Sequence, residues 1–188
     1  MEKPHLLFIP GLGDRAWLYH LAAPLWRLLG YVPHVYCFGW TGDASQLQEK
    51  QRALLVYVNT LPSGLLYVVG MSAGGTSAVN LLIERPDIRR VVTVASPLKP
   101  KDHPTNPLLE ASIAQADNHL SNGDEMLLSK VVSVHGVHDW RVPVGKSQRP
   151  DIQSVQLPTL GHGATIFFAV TVFALKLRQL LRSAPTTE

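Results

Sequence analysis

Six short apolar runs, most of them separated by stretches with helical spacing, limit what this chain can fold into more than any other feature. They cover residues 6–9, 32–38, 65–69, 91–95, 131–134 and 152–157. The first, Leu6-Leu7-Phe8-Ile9, is apolar at every position rather than at every second one, as a strand is when both its faces are buried. Between the runs, Leu21, Leu25, Leu28 and Leu29 recur at helical spacing, with Pro24 suited to a first turn and Gly30 as a stop. Ser45 and Gln48 make a capping box, and Leu47, Leu54, Leu55, Val58 and Leu61 then line one helical face. A helix is expected over 73–85, where Pro86 cuts it off, and a weaker one over 108–120. A last helix is expected over 163–181, with Ile166, Val170, Phe173, Leu177 and Leu180 on one face. This rhythm predicts an α/β fold, a mostly parallel six-stranded sheet flanked by helices on both faces. With 188 residues, no repeat and no linker, the chain is expected to form a single domain, 1–188. The Pro-rich and polar stretch 97–129 reads as a short lid-like insertion within it.

Composition excludes several classes of function. Apolar residues make up 46% and charged residues 16%, enough apolar surface to offset chain entropy, so the chain is globular. The formal net charge is only +3, and no basic stripe is interleaved with aromatics, so nucleic acid is not an expected partner. Charge is uneven along the chain: residues 107–129 hold four acids and no base, whereas 130–182 hold seven bases and two acids. Two differently solvated faces account for that. The lone Cys37 excludes an intramolecular disulfide and any cysteine-based zinc site. The run 6–9 is too short for the apolar core of a signal peptide, and the stretch 164–175 is too short to span a bilayer. A cytoplasmic protein without stable membrane insertion is therefore expected.

In parallel sheets, functional residues gather in the loops after strand carboxyl ends. The third run leads directly into Gly70-Met71-Ser72-Ala73-Gly74. A G-x-S-x-G pentapeptide alone means little, since a random chain of this length would contain one about once in fifteen. Its place between a strand and an Ala/Gly-rich helix start sharpens it. Such a turn strains the serine, glycines on either side relieve the clashes, and the helix N-terminus stabilises developing negative charge. A nucleophilic serine needs a base, and the base needs an acid to hold its tautomer. After the fifth run comes Gly136-Val137-His138-Asp139-Trp140-Arg141-Val142-Pro143, and after the sixth Gly161-His162-Gly163. These supply Asp139 and His162.

With these motifs in this order, the chain resembles an α/β-hydrolase from Leu6 to Leu181. Gly70 to Gly74 resembles that family's nucleophile elbow, Gly136 to Pro143 its acid loop, and Gly161-His162 its terminal histidine loop. Pro10-Gly11-Leu12-Gly13 resembles its oxyanion loop. The resemblance implies Ser72 as nucleophile, Asp139 as acid, His162 as base, and an oxyanion hole from the backbone N–H groups of Leu12 and Ala73. Many members carry His-Gly where this chain has Pro10-Gly11. Only six strands are readable, so the first two of the usual eight are missing, and 97–129 is short for a cap domain. The implied protein is a minimal serine esterase or lipase-like hydrolase. It would cleave small or short-chain carboxylic esters, lactones included, through an acyl-enzyme, with no cofactor and no metal, as a monomer or homodimer. Three other readings stand beside it: a non-catalytic binding protein on the same fold, a thioesterase or acyltransferase, and a membrane-surface lipase using the apolar last helix.

Other residues have plainer readings. Trp17, Met71 and Trp140 are candidates for a substrate pocket. Asp14 is expected to cap the segment that follows it, and Cys37 to be a small buried hydrophobe. His135 and His138 beside Asp139 are too few for a metal site. His103 and His119 are expected to be solvated, and His20 and His34 to be surface or core residues. Phe168, Val172 and Leu175 lie off the main face of the last helix; burial of the whole helix explains them first, a dimer contact second.

Overall fold

The computed structural model describes residues 3–62, 64–100 and 106–183. Six strands form one all-parallel sheet: β1 (His5–Ile9), β2 (Val32–Val35), β3 (Leu66–Met71), β4 (Arg90–Val94), β5 (Val131–His138) and β6 (Gln153–Leu160). They lie in the order β2-β1-β3-β4-β5-β6. The continuous apolar runs are explained by what each face meets. Leu7 and Ile9 of β1, Val68 of β3 and Val91 of β4 join one buried cluster. Leu6 and Phe8, Val69 and Met71, and Val92 and Val94 join another on the opposite face.

The first cluster is completed by α2 (Leu47–Val58), α3 (Ala73–Glu84) and α4 (Pro107–Ser121). The second is completed by α1 (Trp17–Leu28), α7 (His162–Val170) and α8 (Ala174–Arg182). Two short helices, α5 (Glu125–Ser129) and α6 (Val144–Ser147), precede β5 and β6. The edge strands β2 and β6 are the least buried, as expected of strands paired on one side only.

Several local expectations change. Pro24 lies inside α1 rather than in its first turn, because the helix begins at Trp17. Pro24 faces solvent, where the carbonyl of His20, left without its helical donor, can meet water. The start of α2 is organised by the Asp43 carboxylate, which accepts from Ser45 N–H at 2.9 Å ahead of a 3-10 turn, rather than by a Ser45–Gln48 box. β2 stops at Val35 because the N–H groups of Phe38 and Gly39 donate to the Asp14 carboxylate, at 3.0 and 2.9 Å. Asp14 thus ties the loops after β1 and β2 together and does not cap α1.

The expected last helix is two helices meeting at 73°. The β-branched run Val170-Thr171-Val172 propagates a helix poorly. At the break, Trp26 Nε1 donates to the Val170 carbonyl at 3.1 Å, and Phe173 N–H donates back to Phe168 O, one residue beyond helical register. No described helix is long and apolar enough to cross a membrane by itself. Phe168, Val172 and Leu175 are exposed, which corrects the expectation of whole-helix burial. Within 97–129, residues 101–105 lie outside the described residues. The rest contains α4, whose Leu108, Leu109, Ile113, Ala116 and Leu120 are buried in the first cluster. Ser112 of α4 hydrogen-bonds Thr76 of α3 at 2.7 Å, and Asn80 donates to the Ser112 carbonyl at 3.2 Å.

Candidate active site

The first candidate residue sits at a turn that only this sequence pattern permits. Ser72 follows β3 with φ +52° and ψ −124°, a strained conformation for a residue with a side chain. The turn is tight because the neighbouring backbones nearly touch. A Cβ on Gly70 would lie 2.4 Å from the Gly74 carbonyl oxygen, and one on Gly74 only 2.0 Å from that of Ile9. Ser72 N–H donates to Val94 O of β4 at 2.8 Å, which pins the turn to the sheet. The helix that follows, α3, points its N-terminus at the serine.

The second candidate follows β5. Asp139 is almost fully buried, and its Oδ1 accepts from the N–H groups of Arg141 and Val142 at 2.9 and 3.0 Å. The third, His162, opens α7. Gly161, at φ +90°, turns the chain into this helix and donates its N–H to His138 O at 2.7 Å. Thr165 Oγ1 donates to Gly161 O at 2.9 Å and accepts from Thr159 Oγ1 at 2.8 Å, fixing the loop from below.

These three elements bring together residues 90 positions apart in the chain. His162 Nδ1 lies 2.7 Å from Asp139 Oδ2, and His162 Nε2 lies 2.9 Å from Ser72 Oγ. A carboxylate only accepts, so Nδ1 carries the imidazole proton and donates it to Asp139. Nε2 is then the lone-pair nitrogen, and Ser72 O–H donates to it. The result is a continuous hydrogen-bonded chain from a hydroxyl to a buried carboxylate, able to withdraw a proton as the hydroxyl attacks an electrophile.

The Pro10–Gly13 loop stands beside this chain. A Cβ on Gly11 would lie 2.7 Å from Ser72 Cβ and 3.3 Å from Ser72 Oγ, so only glycine lets the loop approach. The loop is held by a turn in which Asp14 N–H donates to Gly11 O, and by the Asp14 carboxylate's grip on the chain after β2. Leu12 is exposed at its tip, and Ala73 is buried at the start of α3.

The candidate pocket residues part company. Met71 is fully buried in the core cluster under α1 and α7. It is packing, because the residue before the serine still belongs to β3 and points into the sheet's face. Trp17 and Trp140 are exposed. Trp140 covers Gly161, where a Cβ would strike its ring at 2.7 Å, so it supports the histidine loop. Trp40 is buried and donates Nε1–H to Pro10 O at 3.3 Å, bracing the glycine loop from behind. The supporting roles of Asp14, Trp40 and Thr165 were not visible in the sequence, since each acts on a segment distant along the chain.

The remaining histidines and the cysteine are accounted for separately. His135 is buried, which pushes its pKa down, and its ring nitrogens face Gln148 at 3.0 Å and Ser154 at 3.4 Å. His34 stacks on His5, with ring nitrogens 2.9 Å apart; burial first and the neighbouring His5 second push its pKa down. His20 is exposed and His119 half-buried, its pKa lowered by burial, while His103 lies outside the described residues. Cys37 is exposed rather than buried, with its thiol directed at Asp14 O at 3.6 Å. Among the described residues no group of three or more His, Cys, Asp or Glu side chains could hold a metal ion.

No family model matches this sequence, and no curated protein matches it. Solved structures match its fold closely. A monoacylglycerol lipase of Paleococcus ferrophilus is similar with a TM-score of 0.71 at 13% identity, over 94% of this chain and 93% of that one. A pyrethroid hydrolase from Sphingobium faniae is similar at 0.68 and 14%, over 96% and 98%. A thioesterase domain from the curacin biosynthetic pathway is similar at 0.65 and 15%, over 97% and 92%. The chain has the α/β-hydrolase fold, in a minimal six-stranded form.

Proposed function

We propose that the chain is a serine hydrolase of carboxylic esters, working through an acyl-enzyme on Ser72. The observation that carries this reading is the unbroken hydrogen-bonded chain from Ser72 through His162 to Asp139, at 2.9 and 2.7 Å. The esterases and lipases among the similar folds support it as an analogy. Ser72 Oγ attacks the ester carbonyl while His162 Nε2 takes its proton. The imidazolium is stabilised by Asp139, whose second oxygen is already satisfied by two backbone N–H groups. The tetrahedral oxyanion is held by the N–H groups of Leu12 and Ala73, the latter at the N-terminus of α3. His162 then returns its proton to the departing alkoxide, and water repeats the sequence in reverse to free the acid.

Thioesters share this chemistry, and the curacin thioesterase domain shows the fold accommodating it. Small or short-chain esters and lactones are the favoured substrates in this reading. Its support is that α4 is committed to the core, so the described part of 97–129 adds no enclosing cap. The machinery needs neither metal nor cofactor.

Hydrolysis of p-nitrophenyl esters from acetate to palmitate tests the proposal. Wild type is expected to cleave the short esters, and Ser72→Ala to lose on the order of 10⁶-fold in turnover. Equal activity in both would overturn the assignment of Ser72, and activity rising with acyl length beyond about ten carbons would overturn the short-chain preference.

A further inference from the structure

The helical layer that carries His162 has an unusual outer surface. In α1, Tyr19, Ala22, Ala23 and Trp26 face the sheet. On the opposite side of this helix, spaced by four, three and four residues, stand Trp17, Leu21, Pro24 and Leu28, all exposed. An outward-facing stripe of this kind is ordinarily polar. Leu21 is 71% and Leu28 86% exposed, values that leave these side chains almost wholly in water. The neighbouring α7 and α8, packed in the same layer, add exposed Phe167, Phe168 and Leu175, and the break between them adds Val172. Of the fourteen large apolar side chains exposed among the described residues, seven lie on this layer. Four more, Leu12, Val137, Trp140 and Leu160, border the loops that build the candidate site. Large apolar side chains gathered in this number on one layer mark an interaction site.

Its charges say what kind. Neither α1, α7 nor α8 contains an Asp or Glu, whereas Arg27 lies on α1, Arg15 just before it, and Lys176, Arg178 and Arg182 on α8. These three helices thus carry cations and no carboxylate, the nearby Asp14 being turned to the N–H groups of Phe38 and Gly39 and Arg182 stacking on Tyr31. That combination suits an anionic lipid surface, where apolar side chains enter the acyl boundary and basic ones meet the headgroups. We propose that the α1–α7–α8 layer adsorbs to anionic phospholipid membranes, bringing the Ser72–His162 opening to the lipid surface. His162 opens α7, and Trp17 follows Leu12 of the glycine loop by five residues, so the adsorbing face runs into the mouth of the site. The chain lies on the bilayer and does not span it.

The test is co-sedimentation of the Ser72→Ala protein with vesicles, so that neither hydrolysis nor its failure enters the result. Vesicles of equal phosphatidylglycerol and phosphatidylcholine are expected to retain the protein, pure phosphatidylcholine much less, and added salt to release it. Leu21→Ser with Leu28→Ser and Val172→Ser, all at exposed positions, should lower the partition coefficient at least tenfold. Arg27→Glu with Lys176→Glu should lower it about fivefold or more for each cation removed. Recovery in the supernatant regardless of lipid would overturn the proposal, as would equal binding to both vesicle types. A concentration-dependent dimer that the triple serine variant disperses, without vesicle binding, would overturn it too, by assigning the face to a second copy of the chain.

Discussion

On one side of the sheet, α3 and α4 are joined by a buried polar cluster of Thr76, Ser112 and Asn80, and the ends of α2 and α3 by Arg85, which donates to Val58 O, Asn59 and Asp87. On the other, α1, α7 and α8 meet through apolar side chains and the Trp26–Val170 hydrogen bond. The first side carries the carboxylates Glu49, Glu84, Glu110 and Asp117; the second carries none. Each side supplies one member of the candidate catalytic chain, Ser72 at the start of α3 and His162 at the start of α7. A network of polar side chains therefore locks the helix behind the nucleophile to its neighbours, while the helix behind the base is held mainly by apolar packing, with single hydrogen bonds from Trp26 to Val170 O and between Thr159 and Thr165. The difference also separates a face made for water from one whose outer residues are not.

The largest effect should come from the packed side. Trp26 is fully buried, so Trp26→Ala should cost about 3–5 kcal/mol in urea unfolding. Trp26→Phe keeps most of the packing and leaves Val170 O without its donor, which should cost about 1–3 kcal/mol. If both variants unfold at the wild-type midpoint, α7 is held by something other than this contact. On the polar side, Ser112→Ala removes a partner from Thr76 and from Asn80 and should cost about 1–3 kcal/mol, with ester hydrolysis retained at permissive temperature.

The smallest effect is electrostatic. The Arg85 guanidinium holds the Asp87 carboxyl at about 2, chiefly by hydrogen bonding. Because the folded pKa is depressed, this contribution is present above the ordinary carboxylate pKa near 4 and lost as pH falls through about 2. Asp87 is 34% exposed, so screening limits the gain to at most about 1 kcal/mol. Arg85→Gln should lower Tm more at pH 7 than near pH 2, where the lost hydrogen bonds to Val58 O and Asn59 still count; an equal difference at both pH values would assign the effect of Arg85 to those two bonds alone. His135 acts at a higher pH: burial lowers its folded pKa, so stability should fall as pH drops below about 6.5. His135→Gln should flatten that part of the profile, and an unchanged profile would assign it to other groups.

Much of this was legible in the sequence for definite reasons. Apolar runs such as Leu6 to Ile9 announce strands covered on both faces, because burial acts on every side chain of such a strand. Ser72, Asp139 and His162 could be placed because each follows a strand end, and the fold gathers strand ends on one edge. What could not be read depended on contacts between distant segments. Helical spacing shows which residues share a face but not whether another element covers it, so the exposure of Phe168, Val172 and Leu175 was hidden. The break after Val170 depends on Trp26, 144 residues away, and the role of Asp14 on a loop 24 residues on. Segment 97–129 looked polar, yet α4 turns Leu108, Ile113 and Leu120 inward, and the few polar groups it buries find partners on α3.

Activation of Ser72 by His162 can be tested at the atom concerned. The intact protein would be treated with a fluorophosphonate, which phosphonylates an activated serine, and the labelled peptide mapped by mass spectrometry. A single adduct is expected on Ser72, formed in wild type and absent, or slower by orders of magnitude, in His162→Ala. A folded wild-type protein that leaves Ser72 unlabelled, or one labelled equally fast without His162, would contradict it.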